Sequence, residues 1–463
     1  MIEILDENPE VDNKEMAIKL YGDASSKAFI MLKGRVLEKM LETMSLSINF
    51  HNNPTFKDDP SAFEAIKIQK NLIYAFLLRR RGLDEPAREI LEKCAKVSEE
   101  LSLPEYRLLA LINLRNFSDS QKDVVWSYKQ EIETALKQFE TDIIGSGIWD
   151  EFRILSDSTS RDHVKETFLE EKTLELEKRL EIAYSARSHY YYLTMKVFLH
   201  EFKREFTKVK ALLEEMIDLL HSHEGLGSKN RLGIPYHQLC GVEIRMRNFP
   251  AAIEAADQAL SYFHRSKHNY YSSSIYKIFA CIFAGFPEKA EEVIGEVSRF
   301  RSRKRLEFLN GIVTYLEACI SYIQGNTKEA QAQLFTATEL FTDKEGWNTG
   351  IRIFEIMILL DQDMIDLAIA KIESLRKHIA KYDVSERSKL IYKYLHILER
   401  NAFDFSSTSV EQAQILEKLG SMDSWAPLSH EVIRFDVWIY ARKTKRPFYE
   451  LLLETLAHQP EDV

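Results

Sequence analysis

The sequence predicts an all-α protein built of stacked helical hairpins, and three observations carry that prediction. Between Leu239 and Leu375 one pattern recurs four times: a helix, a tight turn, then a second helix with alanine near its start and a packing position seven residues later. The pairs are Ala252 and Ala259, Ala290 and Val297, Ala330 and Ala337, Ala368 and Leu375, so the leading alanines stand 38, 40 and 38 residues apart. A fixed period of this size marks stacked helix pairs. Gly (16) and Pro (11) are scarce for 463 residues, while 45% of residues are hydrophobic and 29% charged. That balance suits long helices and short connections rather than a turn-rich sheet. Finally, Gly82, Gly285 and Gly325 each fall five residues before an alanine (Ala87, Ala290, Ala330), where a helix-ending turn needs a positive φ.

Bulk properties narrow the function classes. The net charge of −10 repels nucleic acid and anionic membrane unless a local basic patch overrides it. The N-terminal stretch MIEILDENPEVDNKEM is acidic and has no apolar core, so it predicts no secretory signal, and no run of 18 apolar residues predicts a membrane span. Cys94, Cys240, Cys281 and Cys319 lie far apart without a CxxC, which predicts buried thiols in a reducing compartment, hence the cytoplasm.

Taken in order, residues 1–60 predict two N-terminal helices, near 14–22 and 26–48. Residues 61–117 form a first hairpin and a third helix: Ser61 and Glu64 suit a capping box before a helix from Ala62 to Arg81, and Gly82 closes it. Ala75, Ala87 and Cys94 repeat the small-residue arithmetic of the later copies. Residues 118–187 are long connecting helices, one from 119 to 145 and another from 164 to 187, whose thin apolar stripe (Leu169, Leu176, Leu180, Ala183) leaves most of it solvated. Between them, GSGIWDEFRILSDSTSRD is the best break in the chain. The solenoid proper spans 188–400 and begins with a hairpin that puts Val209 at the alanine position. Residues 401–463 predict a C-terminal helical cap over the open end of the stack, which such arrays need.

Small residues at the crossings let helix axes approach; larger ones would forfeit packing along the whole interface. With Gly at the turn and Ala early in the second helix, YLEACISYIQGNTKEAQAQLFTATEL (315–340) and AFLLRRRGLDEPAREILEKCAKV (75–97) resemble the tetratricopeptide (TPR) repeat. The period of 38–43 exceeds that family's, and its early Trp and terminal Pro are mostly missing, so the resemblance is TPR-like. It implies a right-handed α-solenoid whose first helices line a concave groove for peptides or proteins.

On that resemblance the groove residues are Tyr191, Thr194, Phe198, His237, Arg245, Phe279, Tyr315 and Tyr322, with Arg79 joining from the first hairpin. Rings with a few donors suit a peptide; the same residues also suit contact with the neighbouring hairpin. Arg299, Arg301, Arg303, Lys304 and Arg305 form the strongest basic run, able to grip an acidic group or to act as a solvated loop after a helix C-terminus. No metal site is expected: HSHE at 221–224 fits no zinc spacing, and His200-Glu201 and His430-Glu431 are followed by Arg204 and Arg434 where HExxH needs its second His. No catalytic residues and no cofactor are assigned. The expected function is a non-enzymatic adaptor or scaffold holding a protein or peptide partner. The alternatives are a peptide-responsive bacterial regulator with an N-terminal helical effector region, and an enzyme subunit on a helical scaffold.

Overall fold

The computed structural model describes residues 11–47, 60–117, 122–156, 162–265, 268–299, 307–340, 343–421 and 425–457, and among these there are helices and turns but no strand. The chain forms two compact units, 1–63 and 64–463. In the first, α1 (Asn13–Tyr21) starts where the Asp12 carboxylate accepts a 2.7 Å hydrogen bond from the Glu15 N–H, and ends at Gly22. Helix α2 (Lys27–Ser47) follows, and Met16, Ala17 and Phe29 are the buried contacts of this unit.

The second unit opens within α3 (Pro60–Arg80), at Glu64, and continues with α4 (Asp84–Glu100), the two helices joined through Ile68 and Cys94 and through Ala75, Ala87 and Leu91. Helix α3 begins at Pro60, so Ser61 sits in its first turn rather than capping it. Helix α5 (Pro104–Arg115) packs on α4 and on α6 (Lys122–Ser156), which is followed by α7 (Asp162–Ile182). The break expected from Gly145 onward does not occur there: α6 runs through both glycines to Ser156. Gly145 instead lets a ring approach, since a Cβ there would stand 3.1 Å from Tyr191. Ile148 and Phe152 continue the helix into a core shared with Leu169, Leu176 and Met195.

Then come the hairpins: α8 (Ala186–Phe202) with α9 (Phe206–Ser222), α10 (Lys229–Arg245) with α11 (Phe249–Tyr262), α12 (His268–Phe283) with α13 (Pro287–Ser298), α14 (Glu307–Ile323) with α15 (Thr327–Leu340), and α16 (Trp347–Asp361) with α17 (Ile365–Lys381). Each second helix also packs on the next first helix. Val209, Ala252, Ala259, Ala290, Val297, Ala330, Ala337, Ala368 and Leu375 are all completely buried.

The turns explain why the period holds where glycine is absent. Gly82, Gly285 and Gly325 have φ of +75°, +87° and +84°; Arg204, Arg247 and Asp363 take the same left-handed conformation at +57°, +60° and +55°. Each of these six stands five residues before its packing residue. In each, the next N–H reaches back to a carbonyl five residues earlier, as in Asn326 to Ser321 (2.8 Å) and Asn248 to Glu243 (2.8 Å). This is the Schellman closure, which satisfies the last carbonyls of the first helix and fixes the angle of the second.

Helices α18 (Glu386–Arg400) and α19 (Val410–Gly420) extend the stack as one more hairpin, α18 packing on α16 and α17. The remaining part, residues 425–457 with α20 (Phe435–Thr444) and α21 (Phe448–Ala457), differs from the expected end cap. It turns back along the first helices of earlier hairpins because its own apolar face (Trp425, Phe435, Trp438, Leu452) finds rings there. A buried ion cluster ties this segment to α18: the Arg387 guanidinium donates to Glu431 (2.7 Å) and Asp436 (2.8 Å), and Arg434 donates to Asp436 (2.6 Å).

Two outcomes follow. Arg387→Ala leaves the buried Glu431 carboxylate without its cation, while Asp436 keeps Arg434, and urea denaturation should show a loss of about 3–5 kcal/mol. Arg204→Gly should be stabilising by up to about 1 kcal/mol, because it relieves left-handed strain at an exposed turn. Gly325→Ala should lose about as much, and a shift of the same sign in both variants would contradict the turn geometry.

Candidate functional site

The ends of the first helices can be compared by counting back from each left-handed turn residue. Three residues before it stand Glu201, Ile244, Ile282, Tyr322 and Leu360; two before it stand Phe202, Arg245, Phe283, Ile323 and Asp361. Over α12, α14 and α16 this face is occupied by the chain's own C-terminal segment. The Trp425 ring meets Phe283 edge-on at 5.7 Å, Tyr449 donates to the Ile282 carbonyl at 2.6 Å, and Phe448 packs on Tyr322. Trp438 Nε1 donates to both oxygens of Asp361 at 3.1 Å, and Arg442 lies 3.4 Å from the same carboxylate. Farther back, Arg247 reaches the Thr455 carbonyl at 3.5 Å.

Three sequence-expected groove residues are closed off, Tyr315 and Tyr322 by this segment and Phe279 beside Phe283. Phe279, Tyr315 and Tyr322 are buried, not open to a partner. Tyr315 donates to the His430 carbonyl at 2.6 Å between the Trp347 and Phe354 rings, and Tyr322 donates to Asp361 at 2.7 Å. Burial raises both phenols well above their ordinary range. Two others face the connecting helix: the Tyr191 ring lies against Gly145, and Phe198 packs on Trp149 and Phe152 at 6.0 and 5.0 Å. Thr194 is buried and donates to the Tyr190 carbonyl. Arg79 sits over the Phe117 ring at 4.8 Å. In the basic run Arg299 is exposed, while Arg301, Arg303, Lys304 and Arg305 lie outside the described residues.

His237 and Arg245 remain, and they share one open recess of about 370 Å³, lined by Glu201, Ile234, His237, Gln238, Gly241, Arg245, Phe263, Asn269 and Tyr276. The α10 sequence shapes it. Gly241 forms part of the floor, where a Cβ would come within 2.9 Å of Tyr276 and 3.3 Å of the Arg245 guanidinium. A glycine inside a helix costs about 1 kcal/mol relative to alanine, and here it leaves space beside a charge. The His237 ring stacks on Tyr276 at 4.6 Å, and its Nδ1 shares a 2.9 Å hydrogen bond with the Ser273 hydroxyl. Glu201 enters from the end of α8. Burial holds its carboxyl above the ordinary carboxylate range, against the opposing pull of Arg245. No hydrogen bond or ion pair joins the Glu201 carboxyl or the Arg245 guanidinium to another described residue; Arg245 only overlies the Phe206 ring, at 5.7 Å.

Sequence reasoning passed over Glu201, Gly241, Asn269 and Tyr276. Glu201 drew attention only inside a failed HExxH. Its position, three residues before a turn residue, matches that of Tyr322, and registering the copies on their turns would have singled it out.

No known protein family's sequence profile matches the chain, and no curated protein matches it. Among solved structures, the apo form of the quorum sensor NprR from B. thuringiensis aligns with a TM-score of 0.50 at 14% identity, over 78% of this chain and 99% of that one. The fold is a TPR-like helical repeat. A Rap protein complexed with Competence and Sporulation Factor aligns at 0.48 and 12% identity, over 85% of this chain and 99% of that one. The apo form of RapI aligns at 0.48 and 14%, over 84% and 97%. In this TPR-like array no helix of the described residues is long and apolar enough to cross a membrane.

Burial pushes the His237 imidazole down to about 4, with nearby His268 adding to the effect. The unfolded chain takes up that proton near 6.5 and the folded chain only near 4, so this group lowers stability progressively as pH falls through that window and costs nothing above it. An NMR titration should find the His237 ring neutral down to about pH 4. A ring titrating near 6.5 would contradict the burial described.

Proposed function

We propose that the chain is a non-catalytic peptide- or protein-binding helical-repeat protein, and that its partner enters the recess between α8, α10 and α12. One observation carries this: the first-helix face is filled by the chain's own segment from α12 onward and left open, with uncompensated polar groups, at the level of α8 and α10. A peptide suits such a space because it brings side chains for a small pocket and backbone for the surrounding wall. The ligand classes disfavoured by charge are nucleic acid and anionic membrane. No cofactor is required for such a role, and a reducing cytoplasmic setting suits the four buried free thiols.

A second reading, a peptide-responsive regulator, is favoured by the construction of α8. The same helix carries Glu201 into the recess and sets Tyr191 and Phe198 against α6. Occupancy of the recess would therefore be felt by the long helices α6 and α7, which would serve as the effector. The likeness of fold to a quorum sensor accords with this role.

Gly241→Val fills the floor of the recess. In a selection from displayed peptide libraries, wild-type protein should enrich binders whose affinity falls at least about tenfold in the variant, a loss of roughly 1.4 kcal/mol. Gly295→Val, at a helical glycine with open space around it, is the control for helix propensity. Equal binding by both variants would place the partner elsewhere.

A further inference from the structure

The molecule contains its own comparison for the recess. Three hairpins later, at the same two positions relative to the turn, stand Tyr322 and Asp361. That pair is closed: the phenol donates to the carboxylate at 2.7 Å. It also holds a ligand supplied by the chain itself, because Trp438 Nε1 and Arg442 from the C-terminal segment bring a donor and a cation to the same carboxylate. Glu201 and Arg245 occupy the equivalent positions, and their recess has no such occupant.

Several charged groups elsewhere in this unit have a partner within hydrogen-bond distance. Lys210 pairs with Glu243 at 2.8 Å, Arg387 with Glu431 and Asp436, and Asp142 accepts from Ser185 and Ser188. Glu201 and Arg245 are not held by each other: no ion pair within 4.0 Å links them, yet Arg245 is near enough to pull on the Glu201 proton. Two opposite charges facing one space without touching form a complementary template for a ligand with the reverse pattern.

We propose that the recess recognises a peptide that carries a cationic side chain for Glu201 and a carboxylate for Arg245, an assignment that rests on the peptide-binding function above. Glu201, at the register position of Tyr322, supplies a carboxylate as Asp361 does toward Trp438 and Arg442 from the other position of its pair. Arg245, at the mouth and exposed, receives the carboxylate in its planar fork. The apolar body of the ligand lies against Tyr276 and Ile234, and Gly241 leaves room for it.

The test is affinity selection of four pools of N-acetylated synthetic hexapeptides on the full chain, with retained peptides quantified by mass spectrometry. The pools contain or lack Lys and Arg, and contain or lack a carboxylate. Within the carboxylate pools, free C-terminal acids and amidated peptides with internal Asp are counted separately, which tells a chain terminus from a side chain. The pool with both charges should be retained at least about tenfold better than a pool missing either, the scale of a charged hydrogen bond. Glu201→Gln should erase the advantage of the cation, and Arg245→Gln that of the carboxylate. Neither group holds another residue by a hydrogen bond or ion pair, so both variants should keep the wild-type melting profile. Equal retention of all four pools by wild-type protein would overturn the charge assignment and leave peptide binding standing. Retention of none would overturn both.

Discussion

The close crossing of helix on helix behind each left-handed turn is the constraint from which the rest of the array follows. A residue at positive φ ends the first helix, and the chain reverses within three residues. The position five residues on is then forced into the narrowest gap between two axes. Only a small or well-fitted side chain belongs there, which is why Ala252, Ala290, Ala330 and Ala368 have no exposed surface. Because this geometry repeats, equivalent residues of successive first helices are brought to the same level. Tyr322 beside Asp361 and Glu201 beside Arg245 are consequences of that repetition.

The second ordering influence is the C-terminal segment. It packs with rings, a buried ion cluster and hydrogen bonds to carbonyls, as a core packs, and it converts part of the first-helix face from surface to interior. The open recess is thus defined by where this segment stops as much as by α8 and α10 themselves.

The repeating fold was legible because it is written in local chemistry. Glycine five residues before alanine is a short-range pattern, and burial of the alanines follows from the turn. The same logic failed to mark Arg204, Arg247 and Asp363, since arginine carries no signal for the left-handed region and aspartate a much weaker one than glycine. The candidate site was legible only in part. His237 and Arg245 were identified, but Tyr315 and Tyr322 have the same aromatic character whether they face a partner or the chain's own C-terminal segment. What distinguishes them is a contact more than a hundred residues away in sequence, as between Tyr315 and His430. Gly145 misled for a related reason: glycine that ends a helix and glycine that admits a neighbouring ring read alike.

The returning segment also alters how the array holds together. In a simple stack each repeat touches only its neighbours, so the ends fray and stability adds up one repeat at a time. Here residues 425–457 touch α12, α14, α16 and α18 together, so those hairpins should open as one cooperative block.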